Sequence, residues 1–358
     1  MEDITFEQAM SYDHLFECAH ECIGGVAWKQ SVQTYTINRL QWLSTTKAQL
    51  DNGKYKSKGF YTFDLLERGK KRHIQSVHIS ERVVQKCLCK YALKPLIEPR
   101  LIYDNGASRV GKGTEFSLKR IRQHLATHFR KYGRQGGILI MDFHDFFNSI
   151  PHDKLIEMYR RIIKDDRLFN LTAYFINCFK GDVGLGLGSE VSQISAIFYT
   201  NEVDHFIKER LYIKGYGRYM DDSYLIHQDI DYLKYCLDVI KEMLNDLGIS
   251  INPKTEIIRF DKGSFCYLKR RFTITENGKI LTRLLRQNIT KRRRVLKRQM
   301  SNNKSDIESV KQSYQSWRGY ALKWHSRKSV YTMDRLYNSL LRKGDMDGTA
   351  YPVPEEEE

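Results

Sequence analysis

Two aspartates stand side by side, Asp221 and Asp222, inside "GYGRYMDDSYLI", residues 215–226. The stretch alternates like a hairpin, with the pair near its tip. A third aspartate, Asp142, ends the short apolar run Ile138 to Met141 in "GRQGGILIMDFHDFFNSI". If both strands belong to one sheet, their ends can meet. Three converging carboxylates are costly unless a cation neutralises them. Oxygen donors with no histidine beside them select a hard ion, Mg²⁺ first. Two such ions about 3.5–4 Å apart activate a hydroxyl and stabilise a leaving oxygen in phosphoryl transfer, and a triphosphate completes their coordination. The competing reading of Asp221-Asp222 is a polar turn, where aspartate is common.

The surrounding elements must position these groups. Residues 1–60 carry helical segments, with Asn52-Gly53 as a stop. The next segment alternates like strands around Gly69-Lys70 and becomes helical from an N-cap at Ser80. After the Asp142 strand come a helix opening near Pro151, a long apolar-faced helix from Gly188, the hairpin, and a helix stopping at Gly248. Further strands follow, closed by the turn Asn277-Gly278. This order predicts an α+β fold, an antiparallel sheet with helices packed on one face. Beyond residue 283 the chain reads as helical and very basic, and "PVPEEEE" reads as a disordered acidic tail.

The chain has 358 residues and a formal charge of +16. That excess opposes compaction, so its beneficiary is a polyanion, nucleic acid before an anionic membrane surface. No apolar run approaches the roughly 18 residues that a membrane span needs. The seven cysteines are an odd count, and no secretory leader pattern opens the sequence. The expectation is reduced thiols in a cytoplasmic setting. Cys18 and Cys22 with His14 and His20 could hold zinc, but no second ligand pair follows; the plain alternative is a buried helix.

Tyr219-Met220-Asp221-Asp222 resembles the Tyr-x-Asp-Asp box of reverse transcriptases, and further motifs follow in that family's order from about Gly69 to Leu340. "MDFHDFFNSI" is similar to its first metal box, with Asp142 as ligand. "LGSEVSQ", with Gly188 and Gln193, resembles the segment touching template and nucleotide. "LGISINPKT" resembles the following box, with Lys254 placed to protonate departing pyrophosphate, and "GSFCYLKRRF" falls at the primer grip. The resemblance implies catalytic Asp142, Asp221, Asp222 and Lys254, with the aspartates holding two Mg²⁺ ions, for which Mn²⁺ is a substitute. It implies that Phe147 covers the sugar's 2′ face and selects dNTPs; by itself Phe147 also reads as a core aromatic. Lys71 and Arg72 resemble fingers cations that offset triphosphate charge, against the alternative of a solvated hairpin tip. Arg109 and Lys112 resemble another basic fingers element.

"GASRVGKGT" nearly spells a phosphate-binding loop, but Gly113 stands where the ion-holding hydroxyl belongs. Lys291, Arg292, Arg293, Arg294, Lys297 and Arg298 crowd one helix, where like charges repel. The resemblance makes this the thumb, gripping an RNA–DNA duplex through phosphates. Lys269 stands where the family's primer grip has glycine after leucine, here Leu268-Lys269.

The architecture implied is a right-hand polymerase. Its expected parts are an N-terminal helical extension (1–60), fingers (61–135), a palm (136–282, with part of the fingers inserted at about 160–190), a basic helical thumb (283–345) and the acidic tail (346–358). The Ser192-Gln193 pair and Trp317 to Gly319 are similar to reverse transcriptases of diversity-generating retroelements, bacterial or phage-encoded, which act with a small basic accessory protein. A phage-defence enzyme using a noncoding RNA or protein primer is the alternative. A non-catalytic RNA-binding, maturase-like protein is the reading of another class. The expected partners are an RNA template, a nucleic-acid primer and dNTPs, with no membrane.

Overall fold

The computed structural model describes residues 3–67, 70–301 and 306–346. The acidic tail from 347 onward and Gly69 of the expected turn lie outside the described residues. The chain divides into two compact units, one of residues 1–124 and 139–257, the other of 125–138 and 258–358.

The first unit opens with helices Phe6–Ala9, Tyr12–Ile23, Gln30–Ile37 and Arg39–Asp51. Thr5 and Ser11 cap the first two through side-chain oxygens, and Gly53 ends the fourth in a left-handed turn. Cys18 and Cys22 are buried on one helix face, and none of the seven cysteines is in a disulfide. Strands β1 (Phe60–Glu67) and β2 (Lys70–Val77) pair antiparallel as a two-stranded sheet. The helix Ile79–Leu88 starts one cap earlier than expected. Its N-cap is His78, whose ring nitrogen accepts from the Ser80 amide.

β3 (Gly137–His144) is apolar and buried along most of its length, as a central strand requires. β4 (Gly215–Tyr219) and β5 (Asp222–His227) form the expected hairpin. β6 (Ser250–Ile251) runs antiparallel to β3, and β7 (Glu256–Arg259) pairs with β3 too. The strand order β4-β5-β3-β6 sets β5 beside β3. Helices His152–Ile162, Asp166–Asn177, Glu190–Tyr199 and Ile230–Asp246 contribute buried faces to one continuous core. The helix Glu190–Tyr199 is buried from Val191 to Tyr199 except at Gln193.

In the second unit, β8 (Phe265–Tyr267), β9 (Arg270–Ile274) and β10 (Ile280–Leu284) make a separate three-stranded sheet. The order of elements predicts one antiparallel sheet, whereas these strands do not pair with the sheet of the Asp142 strand. The β8–β9 loop is Leu268-Lys269, with φ of +43° and +61°. A two-residue hairpin demands that backbone, and Lys269 adopts it without glycine's freedom. Helices Arg286–Met300, Ile307–Leu322 and Arg327–Met346 pack around Leu296, Val310, Tyr314 and Met333. Trp317 joins that core, while the Arg270 guanidinium lies in the corner between the edge-to-face rings of Tyr320 and Trp324, at 4.9 and 4.8 Å.

Candidate active site

Asp142 and Asp221, distant in the chain, line one cavity of about 660 Å³. The sheet brings them there. The Phe143 amide donates to the Asp221 carbonyl at 3.3 Å, and the Ser223 hydroxyl to the Met141 carbonyl at 3.4 Å. Asp221 shares a two-residue loop with Met220, whose φ is +56°; Asp222 begins β5 opposite Tyr219. Asp222 is half-buried and is not among the residues lining the cavity.

The cavity wall includes polar residues that the motifs do not mark, Asn252, Asp145 and Lys180 among them. Asn252 donates from its side-chain amide to the Asp142 carboxylate at 2.9 Å and from its backbone to the Asp142 carbonyl at 2.8 Å. Asp145 lines the cavity and is itself left-handed, at φ +46°. The exposed Lys180 supplies a cation at its wall. "INPK" carried the one usable signal, an asparagine two residues before the expected lysine.

The expected residues do not gather in one place, and Lys254 lines neither of the two cavities that others of them line. Lys71 and Phe147 line the carboxylate cavity. Phe147 is half-buried, edge-on to Phe146, and its carbonyl accepts from the Leu185 amide at 2.7 Å. Lys71 donates to Asp64 at 2.9 Å, which raises its pKa. Arg72 lies opposite Leu65 in the hairpin, and its side chain is outside the described residues. Lys254 is exposed, its backbone amide donating to the Asn252 side-chain oxygen at 3.1 Å.

Gly188, Gln193 and Arg109 line a second cavity of about 560 Å³, with Arg82 and Lys86. Gly188 holds φ +123°, and a Cβ there would lie 2.8 Å from the Gln75 carbonyl oxygen. Loop and hairpin meet as closely as a glycine allows, through the Gln75 amide bond to the Leu187 carbonyl at 2.9 Å. Arg109 and Lys112 do not offer free cations. Arg109 donates to the Ile102, Asn105 and Glu98 carbonyls, and Lys112 to the Tyr103 carbonyl. Burial brings the Lys112 amine down to about 8. They tie their own loop together.

In the second unit Lys291, Arg293, Arg294, Lys297 and Arg298 are exposed, as is Lys269. Arg292 departs from the expectation: it turns to the helix's inner side, half-buried, with two nitrogens lacking partners.

Among the described residues no three His, Cys, Asp or Glu side chains form a ready metal cage. Asp142, Asp145 and Asp221 nonetheless place carboxylates on the cavity wall, beside His73 and His144. The carboxylates fit Mg²⁺, which binds through one or two of them and draws its other ligands from water and substrate phosphates.

Residues 55–272 match the family model "Reverse transcriptase (RNA-dependent DNA polymerase)". The chain belongs to this family. That family is described as RNA-dependent DNA polymerases, enzymes of nucleotidyl transfer. No curated protein matches the sequence. Among solved structures, telomerase of Candida albicans, in complex with a fragment of telomeric RNA, is similar with a TM-score of 0.52 at 10% identity. The match covers 88% of this chain and 59% of that one, so this chain spans less than two thirds of that structure's length. An apo telomerase of Candida tropicalis, truncated from its C-terminal domain, has a TM-score of 0.48 at 15% identity over 66% and 58% of the chains. At such identities the likeness concerns the fold alone. No helix among the described residues is long and apolar enough to cross a membrane.

Proposed function

We propose that this chain copies an RNA template into cDNA at the Asp142–Asp221 cavity, within a diversity-generating retroelement of a bacterium or phage. The observation that carries the site is the meeting at one cavity of Asp142, from β3, and Asp221, from the β4–β5 turn. Asp142, Asp221 and Asp222 are the residues that would hold two Mg²⁺ ions, or Mn²⁺ in their place. When bound, the ions activate the primer's 3′-hydroxyl and neutralise charge on the dNTP phosphates.

The chain's own groups divide the remaining work. Asn252 keeps the Asp142 carboxylate oriented. Lys71 and Lys180 offset triphosphate charge from the cavity wall. Phe147 offers an apolar face where a 2′-hydroxyl would need a partner, which penalises ribonucleotides. Lys254 gives its proton to the departing pyrophosphate. Gly188 and Gln193 face template and incoming base, and exposed cations of helix Arg286–Met300 hold the RNA–DNA duplex by its phosphates. The retroelement setting rests on the Ser192-Gln193 and Trp317 to Gly319 motifs and includes a small accessory protein.

The test is primer extension on RNA with Mg²⁺ and dNTPs, wild type against Asp221→Ala and Asp222→Ala. Loss of extension in both variants is expected. An Asp221→Ala enzyme extending at the wild-type rate ends the proposal. The setting is read from neighbouring genes, where a template repeat beside a variable target gene is expected and a toxin-like neighbour would contradict it.

A further inference from the structure

The turn that carries Asp221 stands on a buried arginine. Arg218, in β4, heads the fully buried side chains by size, with no exposed side-chain surface. Its Nε and Nη2 fork the buried Asp204 carboxylate at 2.8 and 2.7 Å. Asp204 also accepts from the Tyr216 hydroxyl at 2.5 Å. Two carbonyls take further guanidinium protons: Ile197 from Nη2 at 2.9 Å, and Met220 from Nη1 at 3.1 Å. The Arg218 backbone is held as well, donating to the Asp104 carbonyl at 3.1 Å and accepting from the Gly106 amide at 3.0 Å.

Stability alone does not account for this group. Burying a charge pair costs desolvation, and apolar side chains of equal volume commonly pack at no loss. An apolar side chain cannot hold a carbonyl. Met220 sits at φ +56°, a backbone region that non-glycine residues seldom adopt, so its peptide needs an external hold. Arg218 supplies it on the Met220 carbonyl, which belongs to the peptide just before Asp221. The peptide just after Asp221 is held by the Phe143 amide on the Asp221 carbonyl. With both flanking peptides pinned, the Cα–Cβ direction of Asp221 is set.

We propose that Arg218 is a positioning residue for Asp221: it pins the Met220 carbonyl and so aims the carboxylate of the Tyr-Met-Asp-Asp turn into the cavity. This rests on the reading of Asp221 as an ion-holding carboxylate. Asp204 and Tyr216 act through Arg218 by fixing its guanidinium plane, and an arginine is required because one planar fork must serve a carboxylate and two carbonyls together.

The experiment replaces the whole buried set, Asp204→Leu with Tyr216→Phe and Arg218→Met, so that no orphaned charge remains, and compares it with Arg218→Lys, Asp221→Ala and wild type. Thermal unfolding, kcat and KM for dNTP, the Mg²⁺ half-saturation of extension, and Mn²⁺ binding by electron paramagnetic resonance are measured. The triple variant is expected to melt near wild type, with kcat down about tenfold or more, KM little changed and Mg²⁺ half-saturation raised several-fold. Arg218→Lys is expected to fall between. A folded triple variant with wild-type kcat, Mg²⁺ dependence and Mn²⁺ binding overturns the inference. If the triple variant does not fold, Arg218→Lys decides by the same readouts: a shifted Mg²⁺ dependence supports the role and an unshifted one overturns it. Asp221→Ala separates the two levels. If it extends and binds Mn²⁺ like wild type, the reading of the site fails and takes this inference with it; if it is inactive while folded Arg218 variants behave as wild type, this inference fails alone.

Discussion

Asn252 ties Asp142 to Lys254. Its amide nitrogen donates to the Asp142 carboxylate at 2.9 Å, while its amide oxygen accepts from the Lys254 backbone at 3.1 Å. Only one orientation of the amide satisfies both partners, so the side chain acts as a fixed link between strand β3 and the segment bearing the lysine. Hydrogen bonds to a charged group contribute about 1.5–3 kcal/mol. Asn252→Ala is therefore expected to lower kcat for primer extension by roughly tenfold to a hundredfold, with thermal stability changed far less. Asn252→Asp is expected to be worse than alanine, because it sets a second carboxylate against Asp142 and drives the pair apart or into protonation. Steady-state extension kinetics at several Mg²⁺ concentrations check both, and an Asn252→Asp enzyme as active as wild type contradicts the link.

Lys71 reaches the cavity with its charge already engaged. Asp64 accepts from Lys71 at 2.9 Å and from His73 at 3.1 Å, and these partners hold the Asp64 carboxyl below its ordinary range. A triphosphate must compete with Asp64 for the amine. The groups are exposed, so the effect is small and salt-sensitive. Asp64→Asn is expected to lower KM for dNTP by about two- to threefold at low salt, the gain fading as salt rises. Lys71→Ala is expected to raise KM. Dependence of KM on ionic strength in the three proteins is the measurement.

His124 gives the first unit a pH dependence whose sign can be worked out. Arg120 can only donate to its Nε2, so Nδ1 carries the proton and donates to the Tyr224 hydroxyl at 2.9 Å. Burial, with Lys208 and Arg120 adding to it against the pull of Asp104, brings the ring down to about 4. The unfolded chain binds a proton near pH 6.5 and the folded one near 4, so the folded state is penalised between them. Stability is whole above pH 6.5 and falls as pH drops toward 4, by on the order of 3 kcal/mol. Urea unfolding across pH 4–7 should show this slope, and His124→Gln should flatten it.

The strands were legible because alternation and turn residues mark them, and the aspartate pair stood out because like charges rarely adjoin without cause. The link from Asn252 was hidden, since it depends on β3–β6 register, where Phe143 faces Ile251. Asp145 was hidden by its own left-handed backbone, which redirects the chain after β3. Arg109 and Lys112 looked available because sequence shows charge but not its partners, and their own loop carbonyls take both. Strands β8 to β10 follow the first sheet closely in sequence, which concealed that they belong with the basic helices.

The basic helix carries cations of two kinds. Arg293, Arg294 and Arg298 are exposed, whereas Arg292 lies half-buried with Nε and Nη2 unpartnered, and burial lowers its pKa. An unpartnered buried guanidinium opposes folding, while exposed cations on one helix gain by releasing counterions from a phosphate backbone. Arg292→Met is expected to leave affinity for an RNA–DNA duplex nearly unchanged and to hold or raise the thermal midpoint. Arg294→Ala and Arg298→Ala are each expected to weaken binding for every sequence tested and to reduce the slope of log affinity against log salt by roughly one unit. Fluorescence anisotropy with a labelled duplex over a range of salt concentrations separates these outcomes. An Arg292→Met protein that binds as weakly as Arg294→Ala would mean that the inward arginine swings out to meet phosphate.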